Sequence, residues 1–167
     1  MPFNIENVKK TEHLKLIELW ESSVRATHDF LKEEDLVELK PLILEQHFDA
    51  VDLKCAKTAE GEIVGFCGVH DRTIEMLFIS PDARGSGVGA LLVAHAIHYQ
   101  GASKVDVNEQ NLQALGFYQH IGFSVVGRSP LDGQGKPYPL LHMEQDKKVL
   151  LGTMLKSGKP TESDPEL

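Results

Sequence analysis

The stretch from Thr73 to Tyr99 restricts the fold of this chain more than any other, because it sets a glycine-rich loop between two regular elements. Residues 73–79 are apolar, β-branched and aromatic and are followed by Pro81, which predicts a strand. Residues 88–99 repeat apolar side chains at helical spacing without a breaker, which predicts a helix. The loop between them carries one arginine and three glycines, so its amide groups and the helix N-terminus can converge on an anion. The stretch therefore predicts a binding site for a pyrophosphate.

Three interpretations of the loop follow from its residues. The first is a glycine-rich turn that binds no ligand. The second is a dinucleotide-binding fingerprint, since Gly85-x-Gly87-x-x-Ala90 fits the permissive pattern and Asp106 follows about twenty residues later. Against it, five residues separate the strand from the first glycine, and the chain after Asp106 is short for a doubly wound sheet. The third interpretation includes Arg84, as Arg-x-x-Gly-x-Gly.

A second motif, at residues 111–123, favours the third interpretation. It predicts a short helix with Asn111 as its N-cap and a left-handed C-terminal end at Gly122. It reads Asn-x-x-Ala-x-x-Phe-Tyr-x-x-x-Gly-Phe. Both motifs, in this order, resemble those of the GNAT superfamily of N-acetyltransferases, and the second matches at every specified position. The resemblance covers roughly residues 3–144, and other strings of the chain look like those of small stand-alone bacterial members.

The resemblance implies a mixed α/β fold with a central, mostly antiparallel sheet of six or seven strands, flanked by about four helices. In this superfamily the fourth and fifth strands, here residues 73–79 and 104–108, splay apart, and the acyl-coenzyme lies in the gap. The length of 167 residues suits one domain. We expect that domain to occupy residues 1–145 and the remainder, 146–167, to be a partly mobile C-terminal tail.

The resemblance also implies how the co-substrate, acetyl-coenzyme A, is bound. Backbone groups of the fourth strand pair with its pantetheine arm, and the N–H groups of the loop hold its pyrophosphate. The residues implicated in this binding are Leu77, Phe78, Ile79, Arg84, Gly85, Ser86, Gly87, Val88, Gly89, Asn111 and Tyr118. No metal is expected, since His95 and His98 lack a third ligand at matching spacing.

Amide formation requires a neutral amine, a polarised thioester carbonyl and a proton for the departing thiolate. A thiol pKa of about 8.5 lies near enough to the phenol value of about 10 for Tyr118 to deliver that proton. In family terms Tyr118 matches the general acid, and the alternative is an amphipathic core tyrosine. The oxyanion donor is expected to be a backbone N–H near Leu77.

Several residues are candidates for the base. Strict alternation places Glu75 on one face of the fourth strand with Leu77 and Ile79, one pleat upstream of the reacting end. Several family members use a glutamate on this strand, so Glu75 is preferred, with a solvated strand acid as the alternative. Alternation also places Asp106 and Asn108 together on the fifth strand. The unperturbed histidine pKa makes two further residues candidates, namely His28 and His70.

The acceptor site is expected beside the segment between the first two helices, as in other family members. There His28 and Asp29 are expected to line it, and a capped helix end is an equal alternative. We expect Tyr138 to close the other side and Asn108 to orient substrate or a water molecule. The acceptor amine itself stays open between a small molecule and a peptide, and the oligomeric state between a monomer and a homodimer.

Composition limits the partners and the compartment. A net charge of −8 argues against nucleic acid and against an anionic membrane. No apolar run spans a bilayer and the N-terminus has no signal-peptide pattern, so we expect a cytoplasmic protein. The two cysteines, Cys55 and Cys67, are predicted on adjacent strands as reduced, buried thiols. Neither lies in a motif, which favours direct transfer without a covalent intermediate.

The sequence therefore predicts an acetyl-coenzyme A-dependent N-acetyltransferase that acts on a primary amine. A non-catalytic relative that binds acyl-coenzyme A as a sensor or interaction protein is the alternative. Two local features are also predicted near the N-terminus. Thr11 is expected to cap the first helix, and Pro41 to split a helical segment over residues 33–48.

Overall fold

The computed structural model describes residues 3–145, which form seven strands and four α-helices. The strands are β1 (Asn4–Asn7), β2 (Asp52–Lys57), β3 (Ile63–His70), β4 (Thr73–Ile79), β5 (Lys104–Asn108), β6 (Phe123–Ser129) and β7 (Leu140–Gln145). The helices are α1 (His13–Thr27), α2 (Glu33–Leu42), α3 (Val88–Tyr99) and α4 (Leu112–His120). The tail predicted over residues 146–167 lies outside the described residues.

The strands form one sheet in the order β1-β2-β3-β4-β5-β7-β6. Neighbouring strands are antiparallel except β4 and β5, which are parallel. These two pair only at their first residues, where Thr73 lies opposite Lys104 and Ile74 opposite Val105. Beyond this point they diverge. The predicted sheet, mostly antiparallel and splayed between the fourth and fifth strands, is therefore confirmed.

Helices cover both faces of the sheet, and each face has its own apolar core. On one face, α1 and α2 bury a cluster that includes Leu16, Trp20, Leu36, Phe66 and Met76. On the other, α3 and α4 bury a larger cluster with Leu77, Leu92, Val107, Phe117 and Tyr118. The apolar residues of α3 and α4 therefore bring the glycine-rich loop and the second motif to the same side of the gap.

A bulge interrupts β4 at Glu75. Met76 lies opposite Gly68 and Ile74 opposite Val69, so Glu75 is the extra residue of β4. Consequently Ile74, and not Glu75, joins the cluster that contains Leu77 and Ile79. The prediction that strict alternation places Glu75 on the face of Leu77 and Ile79 is wrong, because the bulge shifts the alternation by one residue.

Two local predictions near the N-terminus are also corrected. Thr11 does not cap α1, because it lies inside a 3-10 turn, Lys10–Glu12, that precedes His13. Pro41 does not split the helical segment. It lies inside α2, and the chain continues as a π-helical turn, Ile43–His47.

The two cysteines lie on the paired strands β2 and β3, as predicted, and both are free and buried. Cys55 lies opposite Phe66, whereas Cys67 lies opposite Lys54. They therefore point to opposite faces of the sheet, and each belongs to a different apolar core. Burial raises the pKa of Cys55 to about 11 and that of Cys67 to about 12. Neither thiol has the reactivity of a nucleophile.

Candidate active site

A cavity of about 100 Å³ occupies the gap between β4 and β5. Its walls come from both strands, from the end of α1 and from α4. Among the predicted site residues, those that line it are His28, Glu75, Leu77, Phe78, Asn108, Asn111 and Tyr118. The sheet register creates this opening, because the two parallel strands separate after their first two residue pairs.

Tyr118 reaches the cavity from the interior of the protein. The residue is 0% exposed, and its ring packs against those of Phe117 and Phe123 at centroid distances of 5.1 and 5.3 Å. Within residues 3–145 no group makes a hydrogen bond with its hydroxyl. Burial raises the pKa of Tyr118 well above its usual value, so the phenol is protonated at neutral pH. A buried hydroxyl without a partner is costly, which suggests that a ligand completes its hydrogen bonding.

Asn111 fixes the helix that carries Tyr118. Its side-chain oxygen accepts a hydrogen bond from the N–H of Ala114 at 3.0 Å, as the N-cap prediction requires. At the other end of α4, Gly122 has a φ of 105°, which only glycine adopts readily. Both predicted ends of this helix are thus confirmed.

The glycine-rich loop turns sharply into α3. Gly85 and Gly87 have φ values of 77° and 88°, and Gly87 is the N-cap residue. Gly87 has no side chain that could cap α3, and the N-terminus of a helix favours an anion. The N–H groups of Arg84 and Ser86 bond weakly within the preceding turn, to Pro81 O at 3.5 Å and Ala83 O at 3.3 Å. The guanidinium of Arg84 is exposed and donates to Gln113 Oε1 of α4 at 3.2 Å.

Two carboxylates line the gap from opposite strands, Glu75 from β4 and Asp106 from β5. Partial burial and the negative charge of Asp106 raise the pKa of Glu75, and the nearby His70 acts in the opposite direction. His70 itself is exposed and does not line the cavity. Glu75 therefore holds a proton more readily than an ordinary glutamate does.

His28 lines the cavity from the end of α1, and its tautomer follows from its neighbour. The hydroxyl of Thr27 donates to Ser23 O at 2.8 Å, so the same oxygen must accept from His28 Nδ1, also at 2.8 Å. His28 Nε2 is then the ring nitrogen with a free lone pair. Burial lowers the pKa of His28 to about 4, so the ring is neutral at neutral pH.

Asp106, in the wall of the cavity, is the first residue of a hydrogen-bonded row of side chains that the sequence did not indicate. His142 Nδ1 on β7 lies 2.7 Å from Asp106 Oδ1, and His142 Nε2 lies 2.6 Å from Ser129 Oγ on β6. A bulge in β6 sets this register, because Val125 lies opposite Met143 whereas Gly127 lies opposite His142. This row depends on how three strands pair in the sheet, and no short-range sequence pattern could have identified it.

The other predicted acceptor residues lie outside the cavity lining. Asp29 is exposed. Tyr138 is buried, and its hydroxyl donates to Asp35 and accepts from the N–H of Lys32 at the start of α2. Its ring packs against Phe30 at a centroid distance of 6.3 Å. Tyr138 therefore joins the loop before β7 to the segment that carries His28.

Comparison with known proteins decides the family. A family model described as an acetyltransferase (GNAT) domain matches residues 38–144. The chain is 44% identical over 143 residues to the peptidyl-lysine N-acetyltransferase YjaB of Salmonella typhimurium, which covers 86% of this chain and 98% of that protein. The chain belongs to the GNAT acetyltransferase family. This GNAT protein is an acetyl-coenzyme A-dependent N-acetyltransferase.

Solved structures agree with this GNAT assignment. The solution structure of apo-form YjaB from Escherichia coli superposes with a TM-score of 0.78 at 41% identity, over 87% of this chain and 99% of that chain. The PaiA N-acetyltransferase of Thermoplasma acidophilum, in complex with coenzyme A, has a TM-score of 0.68 at 17% identity, over the same shares, and shows the fold alone. The dinucleotide-binding interpretation is thereby wrong, since the sheet is not doubly wound.

Two further observations concern the partners of this GNAT enzyme. Within residues 3–145 no helix is both long and apolar enough to span a membrane. In the same range no three His, Cys, Asp or Glu side chains converge as metal ligands would.

Proposed function

We propose that this enzyme transfers the acetyl group of acetyl-coenzyme A directly to the side-chain amine of lysine residues in peptides or proteins. The observation that carries the reaction chemistry is the buried Tyr118 hydroxyl, which has no partner in residues 3–145 and lines the gap between β4 and β5. The acceptor class is supported by the YjaB relatives, which are named peptidyl-lysine N-acetyltransferases and match nearly end to end.

The donor would lie along β4 and the loop that follows it. Where β5 diverges, the backbone groups of Leu77, Phe78 and Ile79 are not paired to that neighbour and would hold the pantetheine arm as a further strand would. The pyrophosphate would lie against the loop from residue 84 to 89, with the exposed Arg84 guanidinium beside it. Two features support this fit, namely the left-handed glycines and the position of the loop at the N-terminus of α3. Asn111 would contribute by fixing the start of α4.

Tyr118 would act as the general acid. A protonated phenol in the gap can donate to the thiolate that departs when the carbon–sulfur bond breaks. A backbone N–H of β4 near Leu77 would stabilise the oxyanion of the tetrahedral intermediate. The cysteines are buried with raised pKa values, which supports direct attack by the amine without a covalent acyl-enzyme.

Glu75 would act as the general base. Its pKa is raised towards neutral pH, and its side chain lines the cavity from the bulge of β4. It would take a proton from the acceptor ammonium, whose nitrogen then attacks the thioester carbonyl. His28 is a weaker candidate for this role, because its pKa of about 4 leaves it a poor base. Its Nε2 lone pair suits it better to accept a hydrogen bond from the acceptor.

The remaining acceptor contacts would come from both sides of the cavity. Asn108 lines it and accepts from the N–H of Gln110 at 3.0 Å, which leaves its amide N–H groups to orient substrate or water. Asp29, exposed beside His28, would attract the cationic side chain. Tyr138 would act indirectly, by holding the segment that carries His28. A cytoplasmic location, the absence of a nucleic-acid partner, and a monomer or homodimer stay predictions.

The test is transfer to defined peptides. The enzyme is incubated with acetyl-coenzyme A and a peptide that has one lysine and a blocked N-terminus, and the release of coenzyme A and the peptide mass are followed. The control peptide carries arginine in place of lysine, and a third peptide has a free N-terminus and no lysine. We expect the mass of one acetyl group to be added to the lysine peptide alone. Acetylation of the N-terminus or of small amines alone would overturn the proposed acceptor.

A further inference from the structure

Asp106, His142 and Ser129 lie on three adjacent strands, β5, β7 and β6, and form a hydrogen-bonded row. Asp106 lies opposite His142, and His142 lies opposite Gly127. Ser129 is two residues after Gly127, so the three side chains of the row share one face of the sheet. An ionised carboxylate can only accept hydrogen bonds, so His142 Nδ1 carries the hydrogen and donates a hydrogen bond to Asp106. Half-exposed side chains do not form such a row by burial alone, which suggests that it has a function.

The same residue types form the catalytic triad of serine hydrolases, but their order relative to the cavity is reversed here. In a hydrolase the serine meets the substrate. Here Asp106 lines the cavity and Ser129 does not. Ser129 lies two strands beyond Asp106, or about 10 Å at the usual strand spacing. Ser129 Oγ therefore cannot reach an acyl carbon held between β4 and β5, and the carboxylate is the end of the row that meets a substrate.

The charge of the cavity indicates what Asp106 meets. An aliphatic amine arrives protonated, because its pKa of about 10 lies well above neutral pH. Among residues 3–145, those that line the cavity include two carboxylates and neither a lysine nor an arginine. The buried Tyr118 hydroxyl, which has no partner within the described residues, lines the same cavity and independently points to a ligand there. A cationic group is therefore the complement of this site.

The two carboxylates differ in how they are held. Asp106 accepts a hydrogen bond from His142, which fixes the orientation of its carboxylate. Glu75, at the bulge, makes no hydrogen bond within residues 3–145 and is able to move with the proton it takes. Two carboxylates in different environments can thus divide two tasks, binding a cation and accepting a proton.

We propose that Asp106 anchors the ammonium group of the acceptor in the gap between β4 and β5, and that His142 and Ser129 are positioning residues for its carboxylate. The inference rests on the proposed transfer to lysine and adds the residue that selects a protonated amine. The anchored ammonium gives one proton to Glu75, and its nitrogen then attacks the thioester carbonyl to form the carbon–nitrogen bond. As the carbon–sulfur bond breaks, the departing thiolate takes the proton of Tyr118, and the second proton lost by the nitrogen restores the phenol.

The test measures acetyl transfer to the single-lysine peptide and to cadaverine, a small diamine. His142→Ala removes the donor to Asp106, whereas His142→Asn keeps an N–H group at the position of Nδ1. We expect His142→Ala to raise KM for either acceptor about tenfold, the loss of one charge-assisted hydrogen bond, with kcat within about twofold. KM for acetyl-coenzyme A should not change, and His142→Asn should restore most of the acceptor affinity.

Ser129→Ala tests the outer end of the row and should raise the acceptor KM about threefold, because it removes only the partner of His142. Ser124→Ala, an exposed serine on the same strand, is the matched control and should have no effect. Equal KM values for Ser129→Ala and Ser124→Ala would remove Ser129 from the proposal. A parallel loss of kcat, acetyl-coenzyme A affinity and thermal midpoint in His142→Ala, without recovery in His142→Asn, would indicate a merely structural residue and overturn it.

The two acceptors separate this inference from the proposed function. Transfer to the peptide with an unchanged KM in His142→Ala overturns the role of the row and leaves lysine acetylation intact. Transfer to cadaverine alone, with the expected rise in KM, overturns peptide acetylation and supports the row. If the wild-type enzyme acetylates neither amine, both proposals fail.

Discussion

Glu75 and Asp106 line one cavity from opposite strands, and only Asp106 has a hydrogen-bond donor among the described residues. The charge of Asp106 contributes to the raised pKa of Glu75, together with partial burial. Removing that charge should therefore change the pH at which Glu75 loses its proton, even if the fold is unchanged.

Asp106→Asn should move the acidic limb of the pH–rate profile to lower pH. If Glu75 is the base, kcat/KM rises with pH as it deprotonates, and loss of the neighbouring charge lowers the pKa of Glu75. His28→Gln removes the other candidate base that lines the cavity and should keep the limb in place, whereas His70→Gln removes a group that lowers the pKa of Glu75 and should move the limb to higher pH. The measurement is kcat/KM from pH 5 to 9 (about the range of common buffers). A limb that moves only in His28→Gln would assign the base to His28.

The raised pKa of Glu75 also has a consequence for stability. The folded state binds this proton more tightly than the unfolded chain does, so ionisation of Glu75 lowers the free energy of unfolding as pH rises. Glu75→Gln should gain stability relative to wild type between pH 4 and neutrality (about one proton of linkage at most). Urea unfolding at several pH values measures this difference, and a constant difference across the range would contradict it.

Tyr118→Phe should separate catalysis from stability. Loss of the acid should lower kcat about a hundredfold or more while KM for acetyl-coenzyme A stays nearly constant. The buried hydroxyl has no partner within residues 3–145, so its removal should not lower the free energy of unfolding and should raise it by about 1 kcal/mol. The assay is coenzyme A release, with thermal unfolding in parallel. Phe117→Leu, at the neighbouring core position, is the contrasting variant, and we expect it to lower the thermal midpoint more than it lowers kcat.

Gly85→Ala and Gly116→Ala should have opposite effects on stability. Both positions have open space for a methyl group, but Gly85 has a φ of 77°, whereas Gly116 lies in α4 with ordinary helical backbone. Gly85→Ala should lower the free energy of unfolding by about 1 kcal/mol, and Gly116→Ala should raise it by about 0.5 kcal/mol. Only Gly85→Ala should weaken coenzyme A binding, as titration calorimetry would show. Equal affinities in both variants would place the pyrophosphate away from the loop.

His28 should make the enzyme sensitive to mild acid. Burial lowers its pKa in the folded state to about 4, whereas an unfolded histidine has a pKa of about 6.5. As pH falls through this window, the unfolded chain takes up a proton that the folded protein does not, so stability decreases. His28→Gln should therefore lose less stability than wild type between pH 6.5 and 4 (about one proton of slope). Parallel stability curves for the two proteins would contradict the assignment.

The sequence predicted the elements around the gap because their signals are local. The glycines and Arg84 of the loop and the cap residue Asn111 act within a few positions, and the paired motifs set the order of β4, α3, β5 and α4. The second motif also places Tyr118 on a short helix, because both ends of that helix are marked in the sequence.

Both bulges escaped prediction, because a bulge depends on how two strands pair. The bulge at Glu75 is visible only as the register of β4 against β3, and that at Val126 only as the register of β6 against β7. Each changes which side chains share a face. The first removes Glu75 from the face of Leu77, and the second brings Ser129 beside His142. Alternation along a single strand cannot reveal either change.

The joint between β4 and β5, two residue pairs at the foot of the gap, divides the sheet into two halves that meet at an angle. The half that ends in β4 would polarise the thioester, and the half that begins with β5 is followed by α4, the helix that carries the phenol. The distance between the thioester and the phenol therefore depends on the angle between the two halves of the sheet. Thr73 and Lys104 form one of the two residue pairs that join these halves. A substitution at either residue should therefore alter turnover, by changing the distance between the thioester beside β4 and the phenol on α4.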